Sequence, residues 1–225
     1  LIELNSKNKT IFEYLEEISN FDFVDYVQLD HKVSQREIPN DPYFNQMWGL
    51  NNTGQNGGQF DGDIDAVEAW DIATGGLTSI GDEIVVAVVD GGVDINHPDL
   101  ISNIWVNENE IPNNGIDDDG NGYVDDINGW DAYSNDGSIP SDNHGTHVAG
   151  TIGAKGNNNS DVVGINWNVK IMSVAGSSGS TSTISLAYGY ILDQKSLWLS
   201  SNGEFGANVV ATNSSFGVDN ANCNS

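Results

Sequence analysis

The run Ile84-Val85-Val86-Ala87-Val88-Val89, closed by Asp90 and the pair Gly91-Gly92, constrains the fold more than any other stretch of this 225-residue chain. Six apolar residues without polar alternation describe a strand covered on both faces, as in a parallel sheet lying between helix layers. Val169-Lys170-Ile171-Met172-Ser173-Val174 and Asn208-Val209-Val210-Ala211-Thr212 read as two more such strands. Between them Ile184, Ala187, Tyr188, Ile191 and Leu192 recur at helical intervals over residues 182–197, behind Ser and Thr residues suited to capping. Strand, helix and strand in this order predict a right-handed crossover. A short helix is expected over residues 66–72, and an Asn/Gly/Asp-rich loop over 107–129. The class is α/β with a mostly parallel central sheet.

In open sheets of this class, chemistry gathers at the carboxyl ends of the strands, where Asp90 stands. A carboxylate directly after six apolar residues requires a cation or hydrogen-bond donors, because burying it unpaired is costly. A turn cap is the other use of such an Asp. A base is available in His144-Gly145-Thr146-His147-Val148-Ala149-Gly150. Gly145, Thr146, Ala149, Gly150, Gly153 and Ala154 are small enough for a helix packed closely against its neighbours. A His in the first turn of that helix can meet a carboxylate that fixes its tautomer and stabilises its imidazolium. A core or capping His is the alternative. The His-x-x-His spacing also raises zinc, but the pair lacks the adjacent Glu of a His-Glu-x-x-His helix. His147 is expected to pack against the core.

Seven Lys and Arg against 33 Asp and Glu give a net charge of −26, which repels nucleic acid and anionic membranes and favours cations. An acidic surface suited to a salty medium accounts for the same balance. No apolar stretch approaches the roughly 20 residues of a membrane span, and no basic-then-apolar signal opens the chain. In the segment 114–126, Asp117, Asp119 and Asn121 are spaced like positions 1, 3 and 5 of a calcium loop; Gly122 falls at the turn, and Tyr123 offers its carbonyl. Position 12 is Asn128 rather than a bidentate Glu, so Asp125 or Asp126 must complete the shell. Structural calcium is the expected cofactor, against a merely solvated acidic loop.

Residues 1–38 have a different character. Positions 11–18 show helical spacing, positions 23–30 alternate like a strand, and a polar junction follows at 33–40. The single Cys223 can form no intrachain disulfide and is read as an inert thiol or half of a bridge to something absent, rather than as the nucleophile of a Cys-His hydrolase. Both termini read as cuts.

Two long motifs, in this order, resemble those of the subtilisin-like serine proteases, the subtilases. One is Val86-Ala87-Val88-Val89-Asp90-Gly91-Gly92-Val93-Asp94, continuing through His97-Pro98-Asp99-Leu100; the other is His144-Gly145-Thr146-His147-Val148-Ala149-Gly150-Thr151. The resemblance implies a three-layer subtilisin-like fold, C-terminally incomplete, preceded by a small α+β propeptide remnant. Residues 1–38 would be the end of an inhibitory propeptide, since the stretch Val24 to Val33 is similar to the family's Val-x-Tyr-Val-Glu-x-Asp pattern. Residues 39–225 would be the N-terminal part of the catalytic domain.

Asp90 would then orient His144, the general base of a serine endopeptidase. Ser215, Phe216 and Gly217 resemble the family's Ser-Leu-Gly substrate wall, with residues 176–179 at the opposite wall. Asp41, Asp99 and the loop 156–161 align with a second calcium position. The implied partners are protein and peptide substrates and the chain's own propeptide, in a protein secreted from a bacterial cell. The family's Gly-Thr-Ser-x-Ala segment and its oxyanion Asn have no counterpart here, so these residues alone are expected to show no peptidase turnover. A calcium-binding adhesion or matrix module, and a pseudoprotease whose serine is lost, are the competing readings.

Overall fold

In the computed structural model of the chain, which describes residues 9–28 and 38–217, the apolar run becomes strand β1 (Val85–Asp90) inside a four-stranded sheet. The order is β2 (Gly129–Asp131), β3 (Lys170–Ala175), β1, β4 (Val209–Ser214), and every neighbouring pair is parallel. β1 pairs with β3 from Val85 opposite Lys170 to Asp90 opposite Ala175. Against β4 the register shifts between Val85 and Val86, leaving Val210 as an extra residue.

Side chains of a strand alternate between its faces, and both faces here meet apolar partners. On one side Val85, Ala87, Val89, Met172 and Val174 pack with Trp105, Trp130 and with Ala187, Tyr190 and Ile191 of helix α4 (Thr181–Ser200). On the other side Val88 and Ile171 pack with Val93, Leu100, Ile104 and with Ala149 of helix α3 (Asn143–Gly153). This two-sided covering is why the run shows no polar alternation. Each buried Val contributes about 1.5–3 kcal/mol relative to exposure. A third apolar cluster joins Phe44 and Trp167 to Trp70 of helix α2 (Ala66–Trp70), with the Trp70 and Trp167 rings edge to face at 4.9 Å.

β2 lies in and just beyond the stretch expected to be loop. It has three residues at the sheet edge, too few to show a period, and Gly129 is required there. Its φ is +132°, and a Cβ would stand 1.8 Å from the Ser173 carbonyl oxygen.

The chain divides into two compact units, Leu1–Gln35 and Arg36–Ser225. In the first, helix α1 (Ile11–Ser19) starts at a capping box in which the Thr10 side chain accepts from the Glu13 N–H and the Glu13 carboxylate accepts from the Thr10 N–H. The strand expected from residue 23 does not form over 23–28; the Val24 N–H closes a turn onto the Phe21 carbonyl, and Phe23 and Tyr26 are exposed. Alternation provides an apolar face, but a strand also needs a partner for its backbone groups. Residues 29 and 30 of that stretch, positions 33–37 of the polar junction, and Cys223 lie outside the described residues.

Candidate active site

Three glycines bring the acid and the base together. Gly91 and Gly92 turn the chain at the end of β1, and Gly145 lies in the first turn of α3. A Cβ on Gly145 would stand 2.0 Å from the Gly92 carbonyl oxygen, and one on Gly92, whose φ is +126°, 2.0 Å from that of Pro140. Thr146 fastens the approach. Its hydroxyl accepts from the Asp94 N–H at 2.8 Å and donates to the Asp142 carbonyl at 2.6 Å.

With the backbones in contact, His144 Nδ1 lies 3.0 and 2.9 Å from the two oxygens of Asp90. The Asp90 side chain is buried, whereas the His144 side chain is 60% exposed. Asp90 also accepts from the Gly91 N–H at 2.8 Å. The hydrogen bond to Asp90, followed by the Asp90 charge, raises the His144 pKa above its ordinary 6.5; burial opposes the rise, and the Asp142 charge adds the smallest contribution to it. Nδ1 is occupied, so Nε2 is the nitrogen left to exchange a proton.

Two segments flank this pair. Residues 176–179 follow Ala175, the partner of Asp90 on β3, and the Gly176 and Ser177 N–H groups donate to the Asp90 carbonyl at 2.9 and 3.2 Å. Tyr133, which the sequence reading passed over, orders this rim by accepting from the Ser178 N–H at 2.9 Å through its hydroxyl. On the other side Ser215, Phe216 and Gly217 follow Ser214, the β4 partner of Val89. Ser215 and Gly217 are exposed, and Phe216 packs on the core beneath α4.

His147 is exposed rather than packed in the core. Gly145, Ala149 and Gly153 form the buried face of α3, and a residue two positions after Gly145 is rotated roughly 200° away from it. It borders a groove with Tyr43, Met47, His97, Leu100 and Thr146.

The acidic loop is organised differently from its spacing. Asp117 accepts from the Asn121 and Gly122 N–H groups at 3.0 and 2.8 Å. Asn121 Oδ1 accepts from the Tyr123 N–H, and the Tyr123 hydroxyl donates to Asp193; burial, followed by Asp193, raises the Tyr123 pKa. Asp125 accepts from the Asn114 and Gly115 N–H groups. The oxygens that gather, within 4.8 Å of one another, belong to Glu110, Asp119 and Asp126. Asp126 is fully buried among donors from Asn107, Asn121, Tyr190 and Gln194; burial pushes its pKa up to about 7, with the Asp119 charge adding to the rise. Glu110 was missed because the calcium-loop template starts at Asp117; the acidic run just upstream, Glu108-Asn109-Glu110, is the signal that carried it.

Asp41 and Asp99 are both buried beside the loop 157–162. Asp41 Oδ2 accepts from the Asn157 N–H at 2.9 Å, while its Oδ1 is buried without a partner. Asp99 accepts from Asn158 Nδ2 at 2.7 Å and the Val162 N–H at 3.0 Å. Its pKa is raised, first by burial and in part by the charges of Asp161 and Asp41.

Residues 81–223 match the family model described as the Subtilase family. Subtilisin-like protease 1 of Plasmodium berghei is 42% identical over 135 residues, covering 59% of this chain and 20% of that protein. Neuroendocrine convertase 2 of Homo sapiens is 33% identical over 136 residues, covering 60% of this chain and 18% of that protein. The chain therefore spans about a fifth of the length of these curated relatives. Among solved structures, that of the Aeromonas sobria serine protease and chaperone complex has the same fold, with a TM-score of 0.50, 21% identity, and coverage of 80% of this chain and 26% of that one. Among the described residues, no helix is long and apolar enough to cross a membrane.

Proposed function

The chain belongs to the subtilase family, and on that premise we propose that it supplies the acid and the base of a serine endopeptidase that hydrolyses peptide bonds. The contact of His144 Nδ1 with both oxygens of Asp90, at the carboxyl end of a parallel sheet, carries this reading. Asp90 holds the tautomer that leaves Nε2 unprotonated. His144 takes the proton of the attacking hydroxyl, becomes an imidazolium stabilised by Asp90, and returns the proton to the leaving amine. The hydroxyl belongs to a Gly-Thr-Ser-x-Ala serine, a segment that these 225 residues do not contain.

Residues 176–179 and 215–217 form the two walls for an extended peptide. Recognition there rests on main-chain hydrogen bonds and tolerates many sequences. Residues 1–38 act as the propeptide, and the protein is exported. The family includes Plasmodium and human proteins, so membership assigns no bacterial source.

Calcium is the proposed structural cation. The partnerless buried oxygen of Asp41 beside Asp99 fits a hard cation, as do the gathered oxygens of Glu110, Asp119 and Asp126. Asp117, Asn121 and Tyr123 brace the second position. A calcium-dependent adhesion module leaves the Asp90 and His144 pair without a role.

Covalent labelling by a fluorophosphonate tests the reading. The product of the whole reading frame is expected to be labelled, His144→Ala to lose the label, and the 225-residue chain to take none. Labelling of the 225-residue chain, or undiminished labelling of the His144→Ala protein, contradicts it.

A further inference from the structure

Asp142 is the N-cap of α3, with Oδ1 accepting from the Gly145 N–H at 2.9 Å. Ser, Thr or Asn would cap as well, so the helix does not require a carboxylate here. The surroundings give the charge a second use. One ligand atom each from Asp142, Asp90 and His144 all lie within 4.8 Å of one another. The carboxylate is also wedged against the turn after β1, since a Cβ on Gly91 would stand 2.9 Å from Asp142 Cγ and 3.2 Å from Oδ2.

We propose that Asp142 is a positioning residue of the site, a second carboxylate that stabilises the protonated His144 ring beside Asp90. Asp90 acts on the ring by hydrogen bond and charge, and Asp142 by charge alone. These are the charged groups that face it: Asp90 from the end of β1, Asp142 from the cap of α3. Asp94, beyond the Gly91-Gly92 turn, and His147, one turn further along α3, are the next titratable neighbours in each element. During acyl transfer the ring passes through the imidazolium, so a second negative charge favours that state and moves the onset of base activity to higher pH. This matters for turnover only if His144 is the base proposed above; the ring titration itself needs no turnover.

The test is a histidine NMR titration of the chain labelled with 15N-histidine, with the His144 signals assigned from the His144→Gln spectrum. Asp142→Asn and Asp142→Ser keep the cap and remove the charge. Each is expected to lower the His144 midpoint measurably, and by less than Asp90→Asn lowers it, because Asp142 acts by charge alone. In the wild-type chain, the Asp142 13Cγ shift is expected to step at the His144 midpoint. An unchanged midpoint in both variants overturns the proposal. So does a 13Cγ curve without that step, which is read in the unmutated chain and decides the matter even if neither variant folds.

Discussion

His144 has one nitrogen committed to a buried carboxylate and the rest of its ring in solvent, an arrangement that makes its protonation state a function of Asp90. A ring whose folded pKa is raised above 6.5 contributes stability in full below that value and loses it as pH rises through the folded pKa. A base must be neutral, so the rise of kcat/KM with pH is expected to centre above the ordinary His value. Asp90→Asn should move that limb to lower pH and reduce kcat by about ten-thousandfold through loss of the tautomer; an unmoved limb in the pH profile counts against the pair.

Gly145→Ala is expected to cost about 1–3 kcal/mol, because the new methyl group meets the Gly92 carbonyl, and calorimetry would read the lower melting temperature. Asp90 and His144 were legible because each stands in a long motif. Asp142 was not, since an Asp two residues before a His reads simply as a helix cap until the fold sets its carboxylate beside the ring.

Helix α4 and the acidic loop form one structure, joined where Tyr190 and Gln194 donate to Asp126 at 2.9 and 2.7 Å. Tyr190→Phe removes a donor from a fully buried carboxylate and is expected to cost about 1–3 kcal/mol in a denaturant titration. A cation at Glu110, Asp119 and Asp126 would offset their mutual repulsion. At a calcium concentration a hundredfold above Kd it adds about 2.7 kcal/mol, and for a chain of this size each kcal/mol moves the melting temperature by about 2–4 °C. Chelation should therefore lower the melting temperature, and Asp126→Asn should shrink that response; equal melting curves with and without calcium would remove the site.

β1 and β3 were readable from their apolar runs because helices or loops cover them on both faces, whereas β4, expected to be covered in the same way, is an edge strand whose Val210, Ala211 and Thr212 are exposed. β2 was hidden by its three-residue length at the edge of the sheet, and the 23–28 segment was misleading because, among the described residues, no strand pairs with it. In the loop, spacing led to Asp117, whereas the fold gathers Glu110 from further upstream.

Over the whole chain, the charge of −26 and the sheet with helices on both faces bear on different questions. The charge bears on partners: it disfavours polyanions and suits cations, which agrees with the two acidic clusters. The architecture bears on chemistry, because it places Asp90, residues 176–179 and residues 215–217 at one end of neighbouring strands. The Glu110, Asp119 and Asp126 oxygens share no residue with the Asp90 and His144 pair, so removing calcium there is expected to alter stability before it alters the pH profile of turnover. The most direct measurement is kcat/KM for peptide hydrolysis by the protein translated from the whole reading frame, compared with its His144→Ala variant at matched folded concentration. A loss of about ten-thousandfold or more is expected when the base of such a triad is removed. Retention of activity within tenfold of the wild type would contradict the assignment of His144 as the base.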